Sequence, residues 1–341
     1  MNIKSVLIAG HGRSGTNWLL DVLDQSSATF CANERNEVCQ SLMSELPDPS
    51  IDWGQYSGLE SAWDWIVEET KHRFGERDPV SGSKSYLYSG LRGKLLHIFR
   101  TRQRLRALAS IFHKSLSGEE WPAPPSLVKR KEMEEALLVL KINQCPALAC
   151  WLLRNFAGKA VLIHILRHPG GVLNSWQRRF LDGKNEIMVS VNDRNRLESI
   201  LALDKGVSAT VKAKITDFLN QNKNDTFHSA ALYWLYANER IYECGRKING
   251  SAPGSREFDP RKSDNYLFVN YESFCKDPEN VSKKLYSRLD LAFDENVKVQ
   301  ISRKSKDSVD ISDKWKKSMP RERRMMVEDL LEGTLFEKMW H

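Results

Sequence analysis

Residues 4–25 read KSVLIAGHGRSGTNWLLDVLDQ, and no other part of the sequence constrains the fold as tightly. Val6, Leu7, Ile8 and Ala9 form an unbroken apolar run that Gly10 ends, the pattern of a short buried strand. From Thr16 onward apolar residues fall at positions 18, 19, 22 and 23, one stripe of an amphipathic helix. Gly10, Gly12 and Gly15 lie between the two. Strand, glycine turn and helix in that order aim several backbone N–H groups and the positive end of a helix dipole at one point. Phosphate is the natural occupant of such a turn.

A second unit of this kind spans residues 160–180, AVLIHILRHPGGVLNSWQRRF. Its first seven residues are too apolar and β-branched for a surface segment, and Pro169 forces a break before the next helix. Val172, Leu173, Trp176 and Phe180 give that helix an inward face. Residues 136–142 and 266–271 are further strand candidates, the second followed by a helix beginning near Asp277-Pro278. Strands alternating with helices predict an α/β fold of the P-loop-like, three-layer kind: a central parallel sheet flanked by helices, with helical insertions. The length of 341 residues is read as one domain over 1–341, with insertions at 41–60, 100–135 and 182–262. Residues 194–248 read as helical, with Ala230, Ala231, Trp234, Leu235, Ile241 and Tyr242 on one face, and residues 251–264 as a linker.

Composition narrows the class. Apolar residues at 41% and charged residues at 28% are ordinary for a globular chain. No run reaches the ~18 to 20 apolar residues that a membrane span needs, and Met1 leads into Val6 without a cleavable signal pattern, so a cytoplasmic protein is expected. The six cysteines show no CxxC pair, which predicts reduced structural thiols rather than a zinc site or a disulfide framework. The net charge of +7 favours an anionic partner. Residues 301–324 hold nine basic and four acidic side chains, and residues 92–106 hold six basic and none acidic. Each stretch reads equally well as a solvated face.

The glycine turn departs from an ATP-binding loop in an informative way. The spacing from Gly10 to Gly15 matches the Walker-A glycines, but Thr16 stands where that pattern requires Lys, and the cation comes earlier, at Arg13. Magnesium-dependent NTP hydrolases also need an acidic residue at a strand end, and the strand at 160–166 runs instead into Arg167-His168. Arg167 and Ser175 lie eight residues apart. That spacing sets the Arg at a strand end and the Ser two turns into the following helix, both within reach of one phosphate.

These residues resemble the 3′-phosphoadenosine 5′-phosphosulfate (PAPS)-dependent sulfotransferases. GHGRSGTNWLL is similar to that family's 5′-phosphosulfate loop, and LRHPGGVLNS to its 3′-phosphate motif, an Arg-x-Pro with a Ser eight residues after the Arg. LFVNYESFCKDPENV is similar to its strand, Tyr-Glu pair and Asp-Pro helix start, and DKWKKSMPRE to its C-terminal Trp-Lys segment. The resemblance implies that Arg13, Ser14, Gly15, Thr16, Asn17 and Trp18 surround the phosphosulfate, that Arg167 and Ser175 hold the 3′-phosphate, and that Tyr271 lies near the adenine. Arg303, Lys304 and Lys306 are candidates for a further 3′-phosphate contact. Gly12 stands where many members have Pro.

Sulfuryl transfer demands in-line geometry, stabilisation of charge on the leaving oxygens, and a base for the acceptor's proton. Phenol and steroid sulfotransferases carry that base as Lys-x-His; here the strand reads VLKINQ, with Lys141 present and Asn143 in the histidine's place. Some bacterial carbohydrate sulfotransferases use a Glu in a segment similar to TFCANERNEV. That makes Glu34 the expected base, with Glu37 behind it, Lys141 at the bridging oxygen and Lys84 as a further cation. His11, His164 and His168 read as hydrogen-bonded structural residues, His11 being also weighed as a base. The expected activity is metal-free transfer from PAPS, with adenosine 3′,5′-bisphosphate as product, to a hydroxyl of a carbohydrate, lipid or small metabolite. The alternatives are a degenerate P-loop kinase or NTPase, and a basic nucleic-acid-binding protein, although no nucleic-acid module is recognisable. The acceptor's identity and the oligomeric state leave no mark in these motifs.

Overall fold

The structure is a computed structural model that describes residues 5–26, 28–33, 67, 135–156, 158–180, 193–221, 225–248, 265–305 and 308–340. The expectations for Glu34, Glu37, Lys84, Lys306, the basic stretch at 92–106 and the linker at 251–264 lie outside those residues.

Among the described residues, five strands form one parallel sheet: β1 (Ser5–Gly10), β2 (Thr29–Asn33), β3 (Leu137–Asn143), β4 (Ala160–Leu166) and β5 (Tyr266–Asn270). Their order across the sheet is β2-β3-β1-β4-β5. The chain thus runs to one side of β1 for β2 and β3, then crosses to the other side for β4. In open parallel sheets, ligands bind outside the carboxyl ends of the strands where the order reverses in this way. The turn after β1 occupies that place.

Both faces of the sheet are covered, which is why its strands are predominantly apolar, with Lys141 of β3 and His164 of β4 as buried exceptions. Successive side chains alternate between faces. Leu7, Ala9, Leu138, Leu140 and Leu162 pack toward helix α2 (Pro146–Asn155), whereas Val6, Ile8, Val139, Val161 and Ile163 pack toward α1 (Thr16–Leu23). Helix α3 (Pro169–Phe180) follows β4. Helices α4 (Asp193–Leu203), α5 (Ala209–Asn220) and α6 (Thr226–Ile248) come next, and Trp234 of α6 is fully buried in a third core cluster with Leu173, Ile200, Ile215 and Phe336. A buried ion pair ties α4 to α6: Arg240 donates to Asp204 at 2.9 Å, and the Tyr236 hydroxyl donates to the same carboxylate at 2.8 Å.

Three expectations need correction. The strand expected at 136–142 is shifted by one residue, within ordinary boundary scatter. The strand expected at 266–271 ends at Asn270, whose side chain accepts from the Ser273 N–H at 2.8 Å and caps a short helix, α7 (Tyr271–Lys276). A second helix, α8 (Pro278–Arg288), starts behind the Asp277 cap. The third correction concerns the thiols: Cys150 on α2 and Cys244 on α6 form a disulfide, while Cys31, Cys145 and Cys275 are free and buried. The remaining described helices are α9 (Glu295–Ser305), α10 (Ser308–Ser318) and α11 (Arg321–Leu331). No helix of the described residues is long and apolar enough to cross a membrane.

Candidate active site

The turn after β1 is built by close approaches and by backbone handedness. A Cβ on Gly10 would stand 2.6 Å from the Ile165 carbonyl oxygen of β4, so the strand end tolerates only glycine. Arg13 (φ 75) and Gly15 (φ 91) adopt left-handed backbone and Ser14 between them does not. Such alternation turns successive N–H groups toward one concave side. The Ser14 N–H closes the turn on the His11 carbonyl at 3.1 Å. Helix α1 then starts at Thr16 with no side-chain cap, which leaves its first-turn amides facing the turn. The Ser14 hydroxyl is buried there, with no hydrogen-bond partner among the described residues.

The second motif meets the first directly. Arg13 Nε donates to Ser175 Oγ at 3.0 Å, and Arg167 Nη1 donates to the Arg13 carbonyl at 3.0 Å. Arg167, only 7% exposed, stands at the end of β4 with its guanidinium carbon 4.5 Å from the Tyr271 ring centroid. A Cβ on Gly171 would approach Arg167 Nε to 2.7 Å, which explains the second glycine of the HPGG sequence. The Tyr271 ring packs against Gly15, where any side chain would collide with it. Burial raises the Tyr271 hydroxyl well above the ordinary tyrosine range. Trp18 stacks on Phe274 at 4.1 Å. Arg13, Ser14, Gly15, Thr16, Arg167, Ser175 and Tyr271 therefore gather at the carboxyl ends of β1, β4 and β5.

The end of β3 supports the turn from the other side. Lys141 is 1% exposed, and its Nζ donates to Asn17 Oδ1 at 2.9 Å. Asn143 Oδ1 accepts from the Thr16 hydroxyl at 3.0 Å. The side chain that replaces the expected histidine thus holds the first residue of α1.

Each of the three histidines has partners in the fold. His11 Nδ1 donates to the Gly12 carbonyl at 2.9 Å and its Nε2 accepts from Gln144 Nε2 at 3.3 Å. His164 accepts from the Tyr266 hydroxyl at 3.0 Å and donates to Asn238 Oδ1 at 3.1 Å. Burial lowers both from 6.5 to about 4, so both rings are neutral near pH 7. His168 stacks on Trp315 of α10 at 4.4 Å, and its backbone N–H donates to Glu272 Oε1 at 3.0 Å. Trp340 Nε1 donates to the other oxygen of Glu272, also at 3.0 Å. The Glu of the Tyr-Glu pair therefore latches the C-terminal segment to the β4 end. Asn174 donates to Ser318 at 2.9 Å, so α10 lies along α3. Arg303 and Lys304 fall in α9, with side chains outside the described residues. Among the described residues, no group of three His, Cys, Asp or Glu side chains is arranged to hold a metal ion.

No family model matches the sequence, and no curated protein matches it. Several solved structures do resemble it. One is the sulfotransferase domain of the Synechococcus PCC 7002 olefin synthase, at 16% identity and a TM-score of 0.44, covering 96% of this chain and 93% of that one. Another is the sulfotransferase domain of the curacin biosynthetic pathway, at 13% identity and a TM-score of 0.45, covering 96% of each chain. The sulfotransferase STF9 from Mycobacterium avium matches at 16% identity and a TM-score of 0.36, over 89% of this chain and 68% of its own.

Sequence reasoning missed a cluster beside the turn. Gln144, with left-handed backbone (φ 55), follows β3 and joins His11, Tyr233 of α6 and Arg196 of α4. Neither Arg196 nor Tyr233 carries a motif. Their meeting is tertiary, across 37 positions of sequence.

Proposed function

We propose that the protein is a sulfotransferase that moves a sulfuryl group from PAPS to a hydroxyl acceptor. The observation that carries this reading is the pair of bonds joining Arg13 to Ser175 and Arg167 to the Arg13 carbonyl. They bring together the two stretches that would grip opposite ends of a doubly phosphorylated adenosine. The residues fit such a donor. The buried Ser14 hydroxyl without a partner among the described residues and the uncapped start of α1 offer donors to anionic oxygens.

When bound, PAPS supplies the sulfuryl group already attached to a phosphate leaving group. Arg13, Ser14 and the amides of Thr16 and Asn17 hold that phosphate and offset the charge that grows on it. Lys141, through Asn17, sets the position of the first helical turn beside it. Arg167 and Ser175 hold the 3′-phosphate, and Tyr271 flanks the base. Glu34, one residue beyond the end of β2, takes the acceptor's proton.

Calorimetric titration with adenosine 3′,5′-bisphosphate in the absence of magnesium tests the reading. Binding that Arg13→Ala removes is the expected result. Magnesium-dependent binding of ATP, with none of the bisphosphate, overturns it in favour of a kinase or NTPase.

A further inference from the structure

Arg196 is a cation that the transfer reaction, as laid out above, does not use. It lies on α4, partly buried, with its guanidinium carbon 3.7 Å from the Tyr233 ring centroid. Its Nη2 donates to the Tyr233 hydroxyl at 2.8 Å, and its Nη1 makes a long contact of 3.4 Å to Gln144 Oε1. Both partners are neutral. No carboxylate pairs with Arg196 among the described residues, whereas Arg194, two positions earlier, pairs with Glu198 at 3.4 Å. A cation drawn partly out of water without a counter-charge is costly. A bound anion would offset that cost, and the planar guanidinium fork suits an oxyanion.

Position decides which anion. Gln144 follows β3, its N–H donates to the Gly10 carbonyl at 2.9 Å, and its side chain contacts His11 at the start of the turn. Tyr233 donates to the Gln144 carbonyl at 3.2 Å, so the guanidinium, the ring and the turn form one connected wall. That wall stands over the β3 side of β1. The proposed donor contacts at Arg167, Ser175 and Tyr271 stand on the opposite side, at β4 and β5. Arg196 thus stands beside the turn, on the β3 side, apart from the proposed contacts to the 3′-phosphate and the base.

We infer that Arg196 is a specificity-determining residue that binds an anionic group on the acceptor, making the acceptor an acidic hydroxy compound such as a hydroxy acid. This rests on the sulfotransferase reading. Tyr233 fixes the guanidinium before the acceptor arrives, which reduces the ordering cost of binding.

The test uses the full chain saturated with adenosine 3′,5′-bisphosphate. Ligand-observed NMR measures binding of two matched pairs: 4-hydroxyphenylacetate against its amide, and glucuronate against glucose. The acids should bind at least about tenfold more tightly, as a charged hydrogen bond of ~1.5 kcal/mol or more requires. Arg196→Gln should erase the preference while leaving bisphosphate affinity unchanged, and Arg196→Lys should keep part of it. Acids that bind no better than their neutral partners in the wild type, or a preference that survives Arg196→Gln, overturn the assignment. Failure of the bisphosphate itself to bind would instead overturn the donor reading.

Discussion

Gly15 is where backbone conformation and packing leave the least freedom. Its φ of 91° is strained for any L side chain, and the Tyr271 ring fills the space a Cβ would take. Gly15→Ala should therefore displace Tyr271 or distort the turn, at a cost of about 1–3 kcal/mol, and weaken bisphosphate binding. Calorimetry with thermal melts reads both effects. His164 yields a pH prediction whose sign follows from its burial. Its folded pKa of about 4 lies below the unfolded 6.5, so the unfolded chain takes up the proton first. Stability from the neutral ring is complete above roughly pH 6.5, declines as the pH falls, and is gone below about 4; the loss is on the order of 3 kcal/mol. His11 adds a second loss over the same window, again through burial. Urea unfolding between pH 7.5 and 4.5 should show this slope. His164→Gln should start less stable and fall less steeply.

At the scale of elements, the strands were legible because burial on both faces leaves mostly apolar residues, as in VLIA of β1 and the AVLI that opens β4. Helix α7 was not, because its six residues are too few to show a period and the Asn270 cap reads equally as a strand end. The tie between α2 and α6 was also hidden. Cys150 and Cys244 are 94 residues apart, and only the packing of the two helices brings them together. Reduction should lower stability by about 2–4 kcal/mol, seen as a lower melting temperature in dithiothreitol that Cys150→Ala/Cys244→Ala removes. Helix α10 makes a comparable contribution through one side chain. The Trp315 ring covers Gly170, where a Cβ would come within 2.5 Å of it, and stacks on His168. Trp315→Ala should cost about 3–5 kcal/mol and loosen the β4–α3 turn that presents Arg167. Denaturant titration beside bisphosphate calorimetry would detect both losses.

Across the whole molecule, the candidate site was half written in the sequence. The turn and the Arg/Ser couple carry fixed spacings, so their chemistry was readable; that Arg13 itself would bridge to Ser175 was not, since 162 positions separate them. Arg196 and Tyr233 had no local signature at all, because 37 positions separate them and only the packing of α4 against α6 brings them together. This division sorts donor holding from proton removal. A ligand that binds only the folded chain stabilises it by RT ln(1 + [L]/Kd), about 2.7 kcal/mol at a hundredfold excess over Kd. Adenosine 3′,5′-bisphosphate should thus raise the melting temperature by several degrees, with no requirement for magnesium. Arg13→Ala and Ser175→Ala break the bridge between the two stretches and should abolish most of that shift. Glu34→Gln should keep the whole shift, because the proposed base meets the acceptor and not the donor, yet lower turnover by about 10²-fold or more. A Glu34→Gln protein that loses its thermal shift along with its turnover would make Glu34 a structural support for the cleft, and the acceptor's proton would then need another taker.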